Sequence, residues 1–205
     1  MNIAVIGTGN VGGALAQKWA GKGHSIYLGV RDTINFKGNE LLAFENINAL
    51  SISQAVQISD IILLAVPAAN TIEAVKALGD TTGKIIIDAM NIIMNKGPEG
   101  FTNTSDAILA NTQTKDVVKC FNTTGYNNMA DTVYDDIQIY MFVCGNSTKG
   151  KEAATQLAID AGFGKCYDVG GNDKFLLMEQ FAWFWINLAM FQGQGREIGF
   201  KLLSR

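Results

Sequence analysis

A short apolar run, Ile3-Ala4-Val5-Ile6, passes directly into Gly7-Thr8-Gly9-Asn10-Val11-Gly12, and the residues that follow, Gly13 to Lys22, carry a helical period. Strand, G-x-G-x-x-G turn and helix in that order is the arrangement a nucleotide pyrophosphate requires. Gly7 permits the tight turn, and Gly9 lets backbone approach the phosphates without a Cβ in the way. Gly12 allows close helix–strand packing, while the helix N-terminus offers free N–H groups and the positive end of its dipole. The preceding strand and following helix give the glycines their meaning, because glycine-rich turns alone are common. Thr8, Asn10 and Val11 complete the expected phosphate-binding turn.

Apolar runs continue to alternate with helical ones. Strands are expected at Ile3–Ile6, Ser25–Val30, Leu50–Ile52, Asp60–Val66, Lys84–Asp88, Val117–Cys120 and Gln138–Cys144, with a weaker one at Lys165–Val169. Helices are expected at Val11–Lys22, Ser53–Ile58, Thr71–Leu78, Ser105–Asn111 and Lys149–Ala161. Strands rich in Ile and Val on both faces, separated by helices, predict an α/β fold whose mostly parallel sheet is covered on both sides. This is the doubly wound, Rossmann-type architecture, with its ligand at the carboxyl ends of the strands. Residues 1–170 are read as the dinucleotide-binding domain, and 171–205 as a helical segment for packing and dimerisation. The least regular stretch, Asn91–Asn103, is expected as a surface loop near the site.

Composition narrows the function classes. The 205 residues are 48% hydrophobic and 17% charged, which suits a folded chain with a sizeable core. Net charge is −3 with no basic run, so nucleic-acid binding has no electrostatic footprint. Cys120, Cys144 and Cys166 form no ligand spacing and read as reduced thiols of a cytoplasmic protein. His24 is the single histidine and sits in a Gly-His-Ser turn, so neither a zinc site nor a Ser-His-Asp triad is indicated. The segment Phe175–Phe191 is apolar almost all round. Its 17 residues fall short of the ~20 a membrane span needs, and Glu179, Gln180 and Asn187 interrupt it. It is therefore expected to pack on its own domain and on a second copy, as a homodimer without membrane insertion. Glu179 shares a helix face with Trp183 and Asn187 and, on so apolar a helix, needs a partner.

The second strand bears on the choice of dinucleotide. It ends Leu28-Gly29-Val30-Arg31, with Arg31 19 positions past Gly12, where an NAD-binding chain carries an acid for the ribose 2′-OH. A guanidinium there suits the 2′-phosphate of NADP(H) through charge-assisted bonds. Asp32 is the competing reading, as a ribose acid displaced by one residue.

With GTGNVG, the Gly29-Val30-Arg31 strand end and Ala65-Val66-Pro67 in place, the chain resembles the NADPH-dependent reductases of the deazaflavin coenzyme F420, relatives of the oxidoreductase domain of membrane ferric reductases. Phe121-Asn122-Thr123, Cys144-Gly145-Asn146, Asp168-Val169-Gly170-Gly171 and Gly193-Gln194-Gly195 continue the likeness in order along the chain. Three positions depart from the pattern. Val30 stands where Ser is frequent, Ala68 where an aromatic follows the proline, and Gly171 where proline is typical, beside the expected substrate edge.

The resemblance implies hydride transfer between NADP(H) and a flavin-like or F420 acceptor, with the protein supplying orientation and exclusion of water. On this reading Ala65, Val66 and Pro67 lie under the ribose-nicotinamide, with Asn91 nearby. Asn122 and Thr123 are the catalytic candidates; the alternative for all three polar residues is loop capping. Two other functions compete. One is a non-catalytic NADPH-binding sensor, since fold and cofactor do not imply turnover. The other is a reductase of another small acceptor, against which no Lys, His or Tyr is spaced as a recognisable proton donor.

Overall fold

In the computed structural model, which describes residues 1–205, the chain alternates strands and helices from its first residues. The order is β1 (Asn2–Ile6), α1 (Asn10–Ala20), β2 (Ser25–Val30), β3 (Ile47–Ser51), α2 (Ile52–Gln57), β4 (Ile61–Leu64), α3 (Thr71–Ala77) and β5 (Ile85–Asp88). There follow α4 (Thr104–Asn111), β6 (Val117–Cys120), α5 (Tyr126–Ala130), a small hairpin of β7 (Val133–Tyr134) and β8 (Ile137–Gln138), and β9 (Tyr140–Cys144). The chain ends with α6 (Thr148–Asp160), β10 (Lys165–Gly170) and α7 (Phe175–Ile186).

The main sheet has the order β3-β2-β1-β4-β5-β6-β9-β10. Its first six strands are parallel and reverse direction of growth between β1 and β4, which opens a crevice at their carboxyl ends. Alternation of side chains along the strands feeds two separate cores. Ile3, Val5, Ile61 and Leu63 face α1 and α6, whereas Ala4, Ile6, Ile62 and Leu64 face α2 and α3. On the first side Trp19 donates from Nε1 to the Leu157 carbonyl at 2.9 Å and meets Phe121 edge to face at 5.6 Å.

The register keeps the site level. Ile6, Leu64, Asp88 and Lys119 stand side by side at the ends of neighbouring strands. Gly7, Ala65 and Ala89 therefore leave the sheet at one edge, level with Cys120 at the end of β6. β9 runs antiparallel to β6, and β10 follows β9. The Gly170-Gly171 turn thus lies at the opposite edge from the glycine loop, not beside the substrate edge as the sequence suggested. An antiparallel strand exits where its parallel neighbours begin.

Several boundaries move. The third strand begins at Ile47 and stops at Ser51, because Ser51 forms a capping box with Gln54 that starts α2 at Ile52. The last helix is α-helical to Ile186 and finishes in a π turn over Asn187–Phe191. It packs Phe175, Met178, Glu179, Ala182 and Trp185 inward, but Leu176, Leu177, Trp183 and Phe184 face outward, so a single chain buries only one side of it. Backbone from 196 to 200 then straps across it. Trp185 Nε1 donates to the Ile198 carbonyl at 2.7 Å, and the Tyr140 amide donates to the Phe200 carbonyl at 2.8 Å. No helix is long and apolar enough to cross a membrane.

Candidate functional site

The glycine loop is built as its sequence demands. Gly7 has φ +99°, and a Cβ there would stand 2.5 Å from the Ala65 carbonyl oxygen. A Cβ on Gly12 would stand 2.0 Å from the Gly7 oxygen, so Gly12 serves helix–strand contact. Gly9 differs, because a Cβ there meets nothing within 4 Å. α1 begins at that open point with no side-chain cap and no acid in its first turn. Its leading N–H groups are left for an anion from outside the chain.

A groove of about 680 Å³ runs along this edge. Gly7, Thr8, Gly9, Arg31, Ala65, Val66 and Pro67, all expected from the sequence, line it. Asn10, Val11 and Gly12 stand behind it on α1, where Asn10 Oδ1 accepts from Lys37 Nζ at 3.0 Å.

The end of the groove beside β2 is shaped by a loop the sequence left blank. Asp32 Oδ1 accepts the backbone N–H of Ile34 at 2.8 Å and of Asn35 at 3.1 Å. These two backbone bonds hold its carboxyl below the usual range. Asp32 is thus engaged in shaping the turn. Arg31, with a side chain 84% exposed, has one loose partner, Glu73 at 3.8 Å. The turn swings Asn35, Phe36 and Lys37 onto the groove, and the Thr8 hydroxyl donates to the Lys37 carbonyl. Lys37 is a second cation that sequence reasoning missed. It reaches the glycine loop only through closure of a loop without periodicity.

The other polar candidates are committed elsewhere. Asn91 Nδ2 donates to the Asn122 carbonyl at 2.8 Å, and Asn122 Nδ2 donates to Asn91 Oδ1 and to the Met178 carbonyl, both at 3.0 Å. Thr123 is buried with its hydroxyl 3.5 Å from Met141 sulfur. None of the three lines the groove. Asn122 Oδ1 is buried without a partner. The preceding Phe121 has φ +64°, and its ring lies between those of Trp19 and Phe163.

Beneath these loops lies a charged cluster absent from the sequence reading apart from Glu179. Lys119 is wholly enclosed, 2.9 Å from both Asp88 and Glu179, and donates to the Met90 carbonyl at 2.9 Å. Asp88 also accepts from the Thr104 and Ser105 hydroxyls, each at 2.6 Å. Glu179 accepts the Ile92 N–H at 2.8 Å. Burial pushes the Lys119 pKa down, but the two carboxylates outweigh it and hold it above its ordinary value.

Residues 2–92 match the family described as NADP oxidoreductase, coenzyme F420-dependent. That match takes in the glycine loop and the strands from β1 to β5. Among solved structures, a protein of Arthrobacter sp. FB24 described as a candidate F420-dependent NADP reductase is 23% identical, with both chains covered in full and a TM-score of 0.84. A hypothetical protein of Sinorhizobium meliloti is also 23% identical over 100% of this chain and 96% of that one, with a TM-score of 0.72. An imine reductase of Streptomyces aurantiacus shares 16% identity at a TM-score of 0.69, with 94% of this chain spanning 64% of that one. These likenesses establish the fold, an α/β Rossmann-type sheet with a helical C-terminal extension.

Proposed function

We propose that the protein is an NADP(H)-dependent oxidoreductase that passes a hydride between NADP(H) and a planar acceptor of the flavin or deazaflavin (F420) class. The observation that carries this reading is the groove's adenosine end. Two cations, Arg31 and Lys37, line it, and Asp32, the acid in position to compete for the ribose, is engaged by backbone. The family match over residues 2–92 supports the same cofactor.

The residues fit the cofactor by three observations: open space at Gly9, an uncapped α1 and two cations, Arg31 and Lys37, on the groove beyond β2. Backbone of Thr8 to Val11 would hold the pyrophosphate, Arg31 and Lys37 the 2′-phosphate, and Ala65–Pro67 the ribose-nicotinamide. A bound nicotinamide supplies the hydride at its C4. The protein orients that ring and keeps water from it, work that needs no general base. We place Asn91, Asn122 and Thr123 as supports beneath the groove, since Asn91 and Asn122 bond each other, Asn122 reaches the Met178 carbonyl of α7 and Thr123 the Met141 sulfur of β9.

We also infer a homodimer, with residues 171–205 as its packing segment. The outward face of α7 and the turn after it carries Trp183, Phe184, Met190 and Phe191, from 42% to 59% exposed. Aromatic rings in such numbers are anchors of protein interfaces.

The test is NADPH oxidation followed with F420, flavin mononucleotide and a quinone. Turnover above background with one of them supports the reading. Tight NADPH binding without turnover on any would make the protein a sensor, and turnover with a small carbonyl or imine alone would place it in another reductase class.

A further inference from the structure

The segment after β5 contains a tight two-residue turn with an unusual occupant. The Lys96 amide donates to the Ile93 carbonyl at 3.0 Å, these residues form an antiparallel bridge, and Met94 and Asn95 have φ of 52° and 58°. Positive φ at both central positions defines a type I′ turn, which favours Asn, Asp or Gly. Asn95 suits it. Met94 does not, because a long unbranched side chain gains nothing from left-handed backbone. Its side chain is also not used for packing, being 64% exposed beside an Ile93 that is 43% exposed. Strain at a residue that fills no core points to a use at the surface.

The turn is firmly rooted. Asn91 at its base is bonded in both directions to Asn122. Ile92 gives its N–H to Glu179, whose other oxygen is 2.9 Å from the enclosed Lys119. Ile92 also packs over Gly97, where a Cβ would fall 2.5 Å from its Cδ1. The segment that carries this turn leaves β5 at the edge where Gly7 and Ala65–Pro67 also leave the sheet, because Asp88 pairs with Leu64 and Leu64 with Ile6.

We propose that Met94 is the apolar wall against which the planar acceptor rests, and that Glu179 is the positioning residue that sets this wall from α7. The proposal rests on the functional reading above and deepens it by naming the acceptor side of the site. A flexible thioether suits an aromatic ring face, and a wall fixed at its root spares the acceptor the cost of ordering it.

The experiment uses the full chain in four variants, Met94→Gly, Met94→Leu, Glu179→Ala and Glu179→Gln. It reads NADPH affinity by calorimetry, KM and kcat with F420 and flavin mononucleotide, and amide hydrogen exchange over 91–97. Met94→Gly relieves the left-handed strain, so it should leave the melting temperature and NADPH affinity unmoved while raising acceptor KM roughly tenfold. Met94→Leu should restore most of that loss. Glu179→Ala should speed exchange at Ile92 at least tenfold and raise acceptor KM more than it lowers kcat. Glu179→Gln keeps an oxygen for the Ile92 N–H and should exchange like the parent, whereas a role in charge pairing alone would make Gln behave like Ala. Unchanged KM in Met94→Gly overturns the wall. Unchanged exchange in a folded Glu179→Ala, or Gln behaving like Ala, overturns the positioning role. If the parent protein oxidises NADPH with neither acceptor, the functional reading fails together with the wall, and exchange alone decides on Glu179.

Discussion

Glu179 of α7 and Lys119 of β6 stand 2.9 Å apart, and the lysine side chain has no exposure to solvent. Asp88 lies at the same distance on its other side. Two carboxylates against one ammonium would be unstable in so enclosed a place without further donors. The Thr104 and Ser105 hydroxyls and the Met90 and Ile92 amides supply them. The cluster ties the C-terminal helix to β5 and β6.

Removing the cation should therefore cost more than an ordinary core substitution. Lys119→Met leaves two buried carboxylates without their counter-charge, and we expect a loss of about 3–5 kcal/mol. Urea unfolding followed by tryptophan fluorescence measures it. A loss below about 1 kcal/mol would mean that the carboxylates are satisfied by hydroxyls and amides alone.

The same lysine fixes the sign of an alkaline effect. Its folded pKa is raised, so its contribution is complete below the ordinary lysine value of about 10 and disappears as pH climbs through the raised value. On the acid side the sign reverses. Burial raises the Asp116 pKa, but hydrogen bonds from Lys149 and Ser147 outweigh it and hold the group low. That contribution is complete above about pH 4 and is lost as pH falls through the lowered value. Melting temperature recorded from pH 2 to 11.5 should fall at both ends. In Lys149→Met the acid limb should be shallower.

Cofactor preference should reside in the two cations at the groove's end. Arg31→Ala is expected to weaken NADPH by about 1.5–3 kcal/mol and to leave NADH nearly unchanged, because only the 2′-phosphate offers the guanidinium a charged partner. Lys37→Ala should move in the same direction by less, since its ammonium also bonds Asn10. Equal titration affinities for NADPH and NADH in the parent protein would contradict the assignment.

The second and third glycines of the loop should fail in opposite ways. Gly9→Val adds its side chain to open space where the pyrophosphate is expected, so binding should vanish from a protein that melts normally. Gly12→Ala drives a methyl against the Gly7 carbonyl, so stability should fall by about 1–3 kcal/mol. Calorimetric titration beside thermal melting separates the two lesions.

Light scattering at tens of micromolar, roughly where weak dimers form, reads the association inferred for α7. A dimer is expected, and Trp183→Gln with Phe191→Gln should shift it toward monomer. A well-behaved monomer in the parent protein would sink the interface.

Most of the parallel sheet was legible because its signals are local. Ser25–Val30 and Val117–Cys120 are strands over the residues their apolar runs suggest, and the glycine loop follows from spacing alone. What stayed hidden depends on distant partners. Lys119 reads as an interruption of a Val-Val-Lys-Cys strand, and only folding brings Asp88 and Glu179 to it. Lys37 reads as a loop charge until Asp32 turns the chain back. The hairpin at β7 and β8 escaped because its strands, Val133–Tyr134 and Ile137–Gln138, are two residues each, too short to show alternation.

The reversed direction of β9 and β10 makes α7 a calibrated spacer. The chain enters this helix from the edge away from the glycine loop, and Glu179 arrives at its partners only if the number of residues between Phe175 and Met178 is kept. One residue inserted there would turn everything downstream by about 100° and swing the carboxylate off Lys119. Substitutions in that first turn are matters of packing, whereas a change in its length would unseat the cluster. In this chain the length of that turn is as constrained as any glycine of the loop.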